Sequence, residues 1–268
     1  MLDRHDTSSS RRKATPRASH ARRVVLITGA SSGIGAATAE RLAAEGRWEL
    51  LLNGRDETRL ARVAADTAGT AIPGDLTEEG GCARLAEEAV RHSGRVDVLI
   101  TAAGIGWAGP FATMPPDSID PVLDTNLRAV LRLVREVLPG MVTRRRGHVV
   151  LIGSLVARLG VRGEAVYSAS KGALVPFADS LRYELAGSGV HVSMVLPGVV
   201  DTPFFTTRGV PYHRDWPRPV APQRVADAVC GVLRHHRDEV YVPTWLNLPV
   251  RVSGTVPSLF RRLATRFG

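Results

Sequence analysis

From Val24 onward, short and nearly continuous apolar runs alternate with longer amphipathic stretches, and that alternation leaves the chain few architectures. The apolar runs lie at 24–28, 50–53, 70–73, 96–101, 148–152, 190–196 and 240–242. A strand with one wet face alternates apolar and polar residues, whereas a strand covered on both faces reads as a continuous run. Helical stretches are expected between the runs, at about 34–46, 56–67, 78–93, 118–143, 165–187 and 222–236. Asp56 and Thr77 stand where N-caps belong. Repeated strand–helix–strand units with right-handed crossovers build a doubly wound parallel α/β sheet with helices on both faces. A single domain over 23–243 accommodates all of them.

The net charge of +9 would suggest nucleic acid if it were spread over the fold. It is not. Residues 1–22 carry a net +4, residues 244–268 another +4, and the 221 residues between them only +1. A basic groove in the domain is therefore not expected, and nor is a nucleic-acid partner. Residues 1–22 hold almost no large apolar side chains and are expected to be a disordered basic tail. No apolar stretch approaches the length of a membrane span, and none follows the N-terminus as a secretory leader would require. Cys82 and Cys230, far apart, form no metal-ligand spacing. A soluble cytoplasmic protein without a metal is the expectation.

Directly after the first run comes Thr28-Gly29-Ala30-Ser31-Ser32-Gly33-Ile34-Gly35, opening a helix. Glycines there permit a tight turn and bring main-chain N–H groups close to a pyrophosphate, to which the helix N-terminus adds its positive dipole end. The second run ends at Asn53-Gly54-Arg55. An acidic residue at this strand end would bind ribose hydroxyls and repel a 2′-phosphate. Arg55 instead offers a charge-assisted donor fork, which favours NADP(H), with NAD(H) as the alternative.

At 167–171 the chain reads Tyr-Ser-Ala-Ser-Lys. Positions i and i+4 share a helix face, so phenol and ammonium can act on one site. A nearby cation lowers a tyrosine pKa and makes the phenol a usable acid or base. With four Tyr and only Lys13 and Lys171 in the chain, this spacing seldom arises by chance. Ser154 follows the fifth run, where a ligand cleft lies in such folds.

Together these residues resemble the short-chain dehydrogenase/reductase family, over about Val24 to Val242. The resemblance rests on the turn at 28–35, Asp75-Leu76, Ala103-Gly104, Asn126, Ser154, Tyr167 with Lys171, and Pro197-Gly198-Val199-Val200-Asp201-Thr202. It implies a Rossmann-type fold and a catalytic set of Asn126, Ser154, Tyr167 and Lys171. Tyr167 would exchange a proton with the substrate oxygen, Ser154 would hydrogen-bond that oxygen, and Lys171 would hold the nicotinamide ribose and lower the Tyr167 pKa. Asn126 would position a water. Cofactor contacts are implied at Gly29, Ser31, Ser32, Gly33, Ile34, Gly35, Arg55, Asp75, Leu76, Ala103, Gly104, Tyr167, Lys171, Pro197, Gly198, Val200 and Thr202. The family's usual Asn-Asn before Ala-Gly is replaced by Thr101-Ala102, and Thr101 is expected to make a smaller set of hydrogen bonds.

By the same analogy Gly106, Trp107, Leu155, Val156, Val161, Val199, Phe204 and Phe205 line the substrate pocket. They are apolar, which points to a lipophilic ketone or secondary alcohol, with no basic residue clearly aimed at a carboxylate. The irregular segment 198–221, with four Pro and four aromatics, fits a lid over the pocket and fits a disordered loop. In the extension at 244–268, Val256, Leu259, Phe260, Leu263 and Phe267 have helical spacing among Arg261, Arg262 and Arg266. A helix docked on its own domain, a subunit arm and a peripheral membrane contact all fit. A homodimer or homotetramer through the helices at 118–140 and 165–187 is expected from the family analogy. A dinucleotide-binding regulator without turnover is the competing functional class.

Overall fold

The computed structural model describes residues 22–212, 217–258, 260 and 262. Seven strands, β1 (Arg23–Thr28), β2 (Trp48–Gly54), β3 (Thr70–Pro73), β4 (Val98–Thr101), β5 (Gly147–Ile152), β6 (Val190–Pro197) and β7 (Glu239–Val242), form one parallel sheet. Their order is β3-β2-β1-β4-β5-β6-β7. The order reverses between β1 and β4, and a crevice opens beyond the carboxyl ends of strands at such a switch point.

Both faces are covered, which explains the continuous apolar runs. Val24 and Leu26 enter one core layer, and Val25 and Ile27 the opposite one. The first layer packs on α3 (Gly81–Ser93), α5 (Ala129–Thr143) and α7 (Leu174–Glu184). The second packs on α1 (Gly33–Ala43), α2 (Glu57–Thr67) and α9 (Pro222–His235). Shorter helices complete the set: α4 (Ile119–Leu123), α6 (Ala165–Gly172), α8 (Phe204–Thr207) and α10 (Asn247–Thr255). Among the described residues, no helix is long and apolar enough to cross a membrane.

Several local expectations are corrected. Asp56 caps α2, its carboxylate accepting from Arg59 N at 2.8 Å. Thr77 caps nothing, because Asp75, two residues before it, takes both its N–H (2.8 Å) and its hydroxyl (2.7 Å). The following helix instead starts after Gly80, which sits in the left-handed region at φ 70°. The stretch expected as one helix at 165–187 divides into α6 and α7 and ends at Glu184. Between α4 and α5 the chain widens into a single π-turn at Asp124–Arg128, with Asn126 inside it. Such turns often mark functional sites.

At the amino ends of the strands, opposite the crevice, three imidazoles gather. His191 and His236 stack with ring centres 3.9 Å apart, and His148 lies 5.7 and 5.4 Å from them. His148 is buried, with Nε2 2.8 Å from Ser193 Oγ. The tail expected at 1–22 lies outside the described residues save for Arg22. So does most of the helical pattern expected at 256–267.

Candidate active site

Each strand delivers its site residues just past its carboxyl end. After β1, Gly29 turns at φ +65°, where a side chain would put Cβ 2.7 Å from the main chain of Ala103. At Gly35 a Cβ would stand 2.2 Å from the carbonyl oxygen of Gly29. The turn is thus closed on itself by main chain, with only hydrogen atoms between its walls. Gly33, Ser31, Ser32 and Ile34 complete it and line the cleft. Ser32, at the start of α1, is extended and makes no side-chain cap, so the helix's first N–H groups face the turn rather than a hydroxyl. Cradle and helix start together fit a pyrophosphate.

Near the carboxyl end of β2, Asn53 is buried and its amide donates to the carbonyls of Ile72 (3.0 Å) and Gly74 (3.2 Å), sewing β2 to β3. Nothing in the residue's spacing announces this. Arg55 is largely exposed, with Nη1 3.5 Å from Asp75 Oδ2. Burial pushes the Asp75 carboxyl up, but two hydrogen bonds from Thr77 and the Arg55 charge outweigh it and hold the pKa below the ordinary range. Leu76 is buried beside it. Past β4, Ala103 N donates to Thr28 Oγ1 at 3.2 Å. The Thr101 hydroxyl is buried and has no hydrogen-bond partner among the described residues, against the reduced set expected of it.

Asn126, Ser154, Tyr167, Lys171 and Gly104 converge where β4 and β5 end. A Cβ on Gly104 would lie 3.3 Å from Asn126 Oδ1 and 3.5 Å from Lys171 Nζ. The Asn126 amide accepts from Ile105 N (2.9 Å) and donates to Ile105 O (2.8 Å) and Ser170 Oγ (3.0 Å). Its side chain braces the loop after β4 against α6. Lys171 is buried, donates to Ile152 O at 3.0 Å, and burial lowers its pKa to about 8.

Tyr167 shares a hydrogen bond with Ser154. Burial raises the phenol pKa, Ser154 opposes that, Glu164 adds to it and Arg208 again opposes it. The net shift is upward, against the lowering expected from Lys171. Past β6, Pro197, Gly198, Val200 and Thr202 form the opposite wall of the cleft. The Thr202 side chain meets the position a Gly33 Cβ would take, 3.1 Å away.

The end of the cleft beside Tyr167 is made by side chains. Leu155, Val156, Val161, Val199, Phe204 and Phe205 all border the cleft. Gly106 and Trp107 do not. Gly106 sits beneath the Phe204 ring, whose Cζ would be 2.6 Å from a Cβ there, and Trp107 folds onto Gly109. Phe204 lies 5.3 Å from the Tyr167 ring. The end is not purely apolar either. Arg208, its side chain 7% exposed, pairs with Glu164 and lies 4.6 Å over the Phe205 ring. Both charges were missed because 44 residues separate them and no local pattern links them.

The described part of 198–221 is ordered into this wall by α8, a parallel bridge between Val200 and Val220, and a Tyr212 hydroxyl bond to Pro217 O at 2.9 Å. Trp216 lies outside the described residues. The whole cleft is about 1480 Å³, larger than a pocket for one drug-sized ligand. Among the described residues no cluster of His, Cys, Asp and Glu could hold a metal ion.

Comparison with known proteins agrees with this geometry. The sequence profile described as short chain dehydrogenase matches residues 23–210. The chain is 36% identical to the ketoacyl reductase HetN of Nostoc sp., over 82% of this chain and 78% of that protein. A short chain dehydrogenase/reductase of Burkholderia phymatum, solved with NAD, superposes with a TM-score of 0.80 at 25% identity, covering 89% of this chain and 95% of the other. A short-chain dehydrogenase of Sphingobium yanoikuyae, solved with NADPH, gives 0.76 at 30% identity, covering 88% and 96%. With the crevice, the glycine turn and the matched sequence in agreement, the chain belongs to the short chain dehydrogenase family of oxidoreductases.

Proposed function

We propose that the protein is an NADP(H)-dependent oxidoreductase interconverting a ketone and a secondary alcohol on a lipophilic substrate. The observation that carries this reading is the meeting of Ser154, Tyr167 and Lys171 at the end of β5, in the same cleft as the glycine turn. The turn at 29–35 would hold the pyrophosphate, Arg55 the 2′-phosphate, Asp75 and Leu76 the adenine, and Ala103 and Gly104 the adjoining ribose. Lys171 and Tyr167 would bind the nicotinamide ribose, with Pro197, Gly198, Val200 and Thr202 against the nicotinamide. The bound dinucleotide would supply or accept the hydride.

The chain's own residues then handle the proton. Burial keeps the Tyr167 phenol protonated near neutral pH, which is the form that ketone reduction consumes. The phenol gives its proton to the substrate oxygen as charge develops there, and Ser154 donates a second hydrogen bond to the same oxygen. Phe204 and Phe205 exclude water beside it. HetN's name, ketoacyl reductase, puts ketoacyl compounds first among the ketones to try.

The test is NADPH and NADH consumption with such a panel, beside Tyr167→Phe. Turnover with NADPH, cut by at least about 100-fold in the variant while NADPH still binds, is the expected result. Tight dinucleotide binding without turnover on any ketone would favour the regulatory alternative. A preference for NADH would remove the assignment of Arg55 alone.

A further inference from the structure

The extension after β7 is not absorbed by the chemistry above. Pro243, Thr244, Trp245 and Leu246 line the cleft, and Leu246 is buried in the core. Immediately beyond, α10 turns an apolar edge to solvent. Leu248 is 67% exposed and Val252 39%, four residues apart on one face of the helix, and Val256, its C-cap, is 46% exposed. Trp245, 44% exposed, stands three residues before Leu248 on the rim of the cleft. Between 244 and 268 the sequence carries Arg251, Arg261, Arg262 and Arg266 and no acidic residue.

We propose that this edge of α10 docks on an anionic lipid bilayer, lying in its interface and setting the cleft mouth against the membrane surface. The charge selects the occupant. An apolar strip beside Arg251, in a stretch whose sequence carries no acid, is the composition that seats a helix among anionic headgroups. A second copy meeting the same segment would set like charge against like, with no carboxylate in the segment to answer it. No helix among the described residues spans a membrane, so the attachment is peripheral. A tryptophan at the rim is the side chain that settles at headgroup level. The surface does not depend on the proposed substrate, although a lipophilic ketone dissolved in the bilayer would meet the cleft directly.

The experiment is co-sedimentation of the full chain with vesicles of phosphatidylcholine alone and of phosphatidylcholine mixed with phosphatidylglycerol. It is read without substrate, so its failure is separate from any failure to find turnover. The full chain is expected to bind the mixed vesicles about 10-fold better than the neutral ones, and to be released by salt. Leu248→Glu/Val252→Glu should lose that binding while keeping dinucleotide affinity and thermal stability. Leu248→Ser/Val252→Ser, a milder change, should lose most of it too. Absence of binding to mixed vesicles overturns the proposal. So does binding that survives both double variants, which would assign it to the basic residues at 1–22. A dimer that dissociates in the variants, with no vesicle binding, would assign the edge to a second copy and overturn it equally.

Discussion

The two ends of the cleft are built from different materials. At the cofactor end the walls are main chain, with Gly29 and Gly35 at contact distances that no Cβ could share. At the end beside Tyr167, where the proposed substrate would sit, the walls are side chains on short helical pieces, with Phe204 over Tyr167 and Arg208 against Glu164. The first construction fixes a universal shape. The second is a set of partnerships that can be exchanged one residue at a time without disturbing the sheet, which is how one fold serves many substrates.

The largest effect should come from Gly35→Ala. Its Cβ would fall 2.2 Å from the Gly29 carbonyl oxygen, so the turn must open. A loss of dinucleotide affinity of about 100-fold is expected in a fluorescence titration. An unchanged affinity would mean that the cofactor end is as adaptable as the other. Next is Glu164→Gln, which leaves Arg208 nearly buried without its counter-charge. Breaking a fully buried pair costs about 3–5 kcal/mol, and the partial exposure of Glu164 reduces this to about 1–2. We expect KM for the ketone to rise about 10-fold while NADPH affinity holds. A matching fall in NADPH affinity would show that the two ends are one unit. The smallest effect is that of Arg55→Ala at an exposed position, expected to weaken NADPH by about 5-fold and leave NADH unchanged.

That division also governs what can be read from the chain beforehand. The sheet is legible because burial on both faces forces the runs at Val24–Ile27 and Leu50–Leu52 to be apolar throughout. The turn is legible because only glycine satisfies its contacts, and Tyr167 with Lys171 because helix geometry converts a spacing into a shared face. Asn53, Glu164 and Arg208 are not, since each acts through a partner 19 or more residues away. The misplaced start of α3 has a local cause: Asp75 claims Thr77 before a helix can. Thr101 shows the opposite failure, a hydroxyl for which bonds were expected and none formed among the described residues.

The histidine cluster at the far side of the sheet makes the fold a proton-sensitive one. Ser193 gives its hydrogen to the carbonyl of Arg237, so His148 donates from Nε2 and keeps a bare lone pair at Nδ1, which has no partner among the described residues. Burial, then the neighbouring His236, His191 and Arg23, hold its pKa at about 3, against 6.5 for an ordinary imidazole. Above pH about 6.5 neither folded nor unfolded chain binds this proton, and the group leaves stability unchanged. Below that, the unfolded chain takes the proton and the folded one refuses it. Each further pH unit down towards 3 then costs about 1.4 kcal/mol. Melting temperature should therefore fall between pH 7 and pH 5, and His148→Gln should flatten that slope; an unaltered slope would place the acid sensitivity elsewhere. Mild acid would thus undermine the sheet from the end opposite the chemistry, and an activity lost at low pH would report the scaffold before it reported Tyr167.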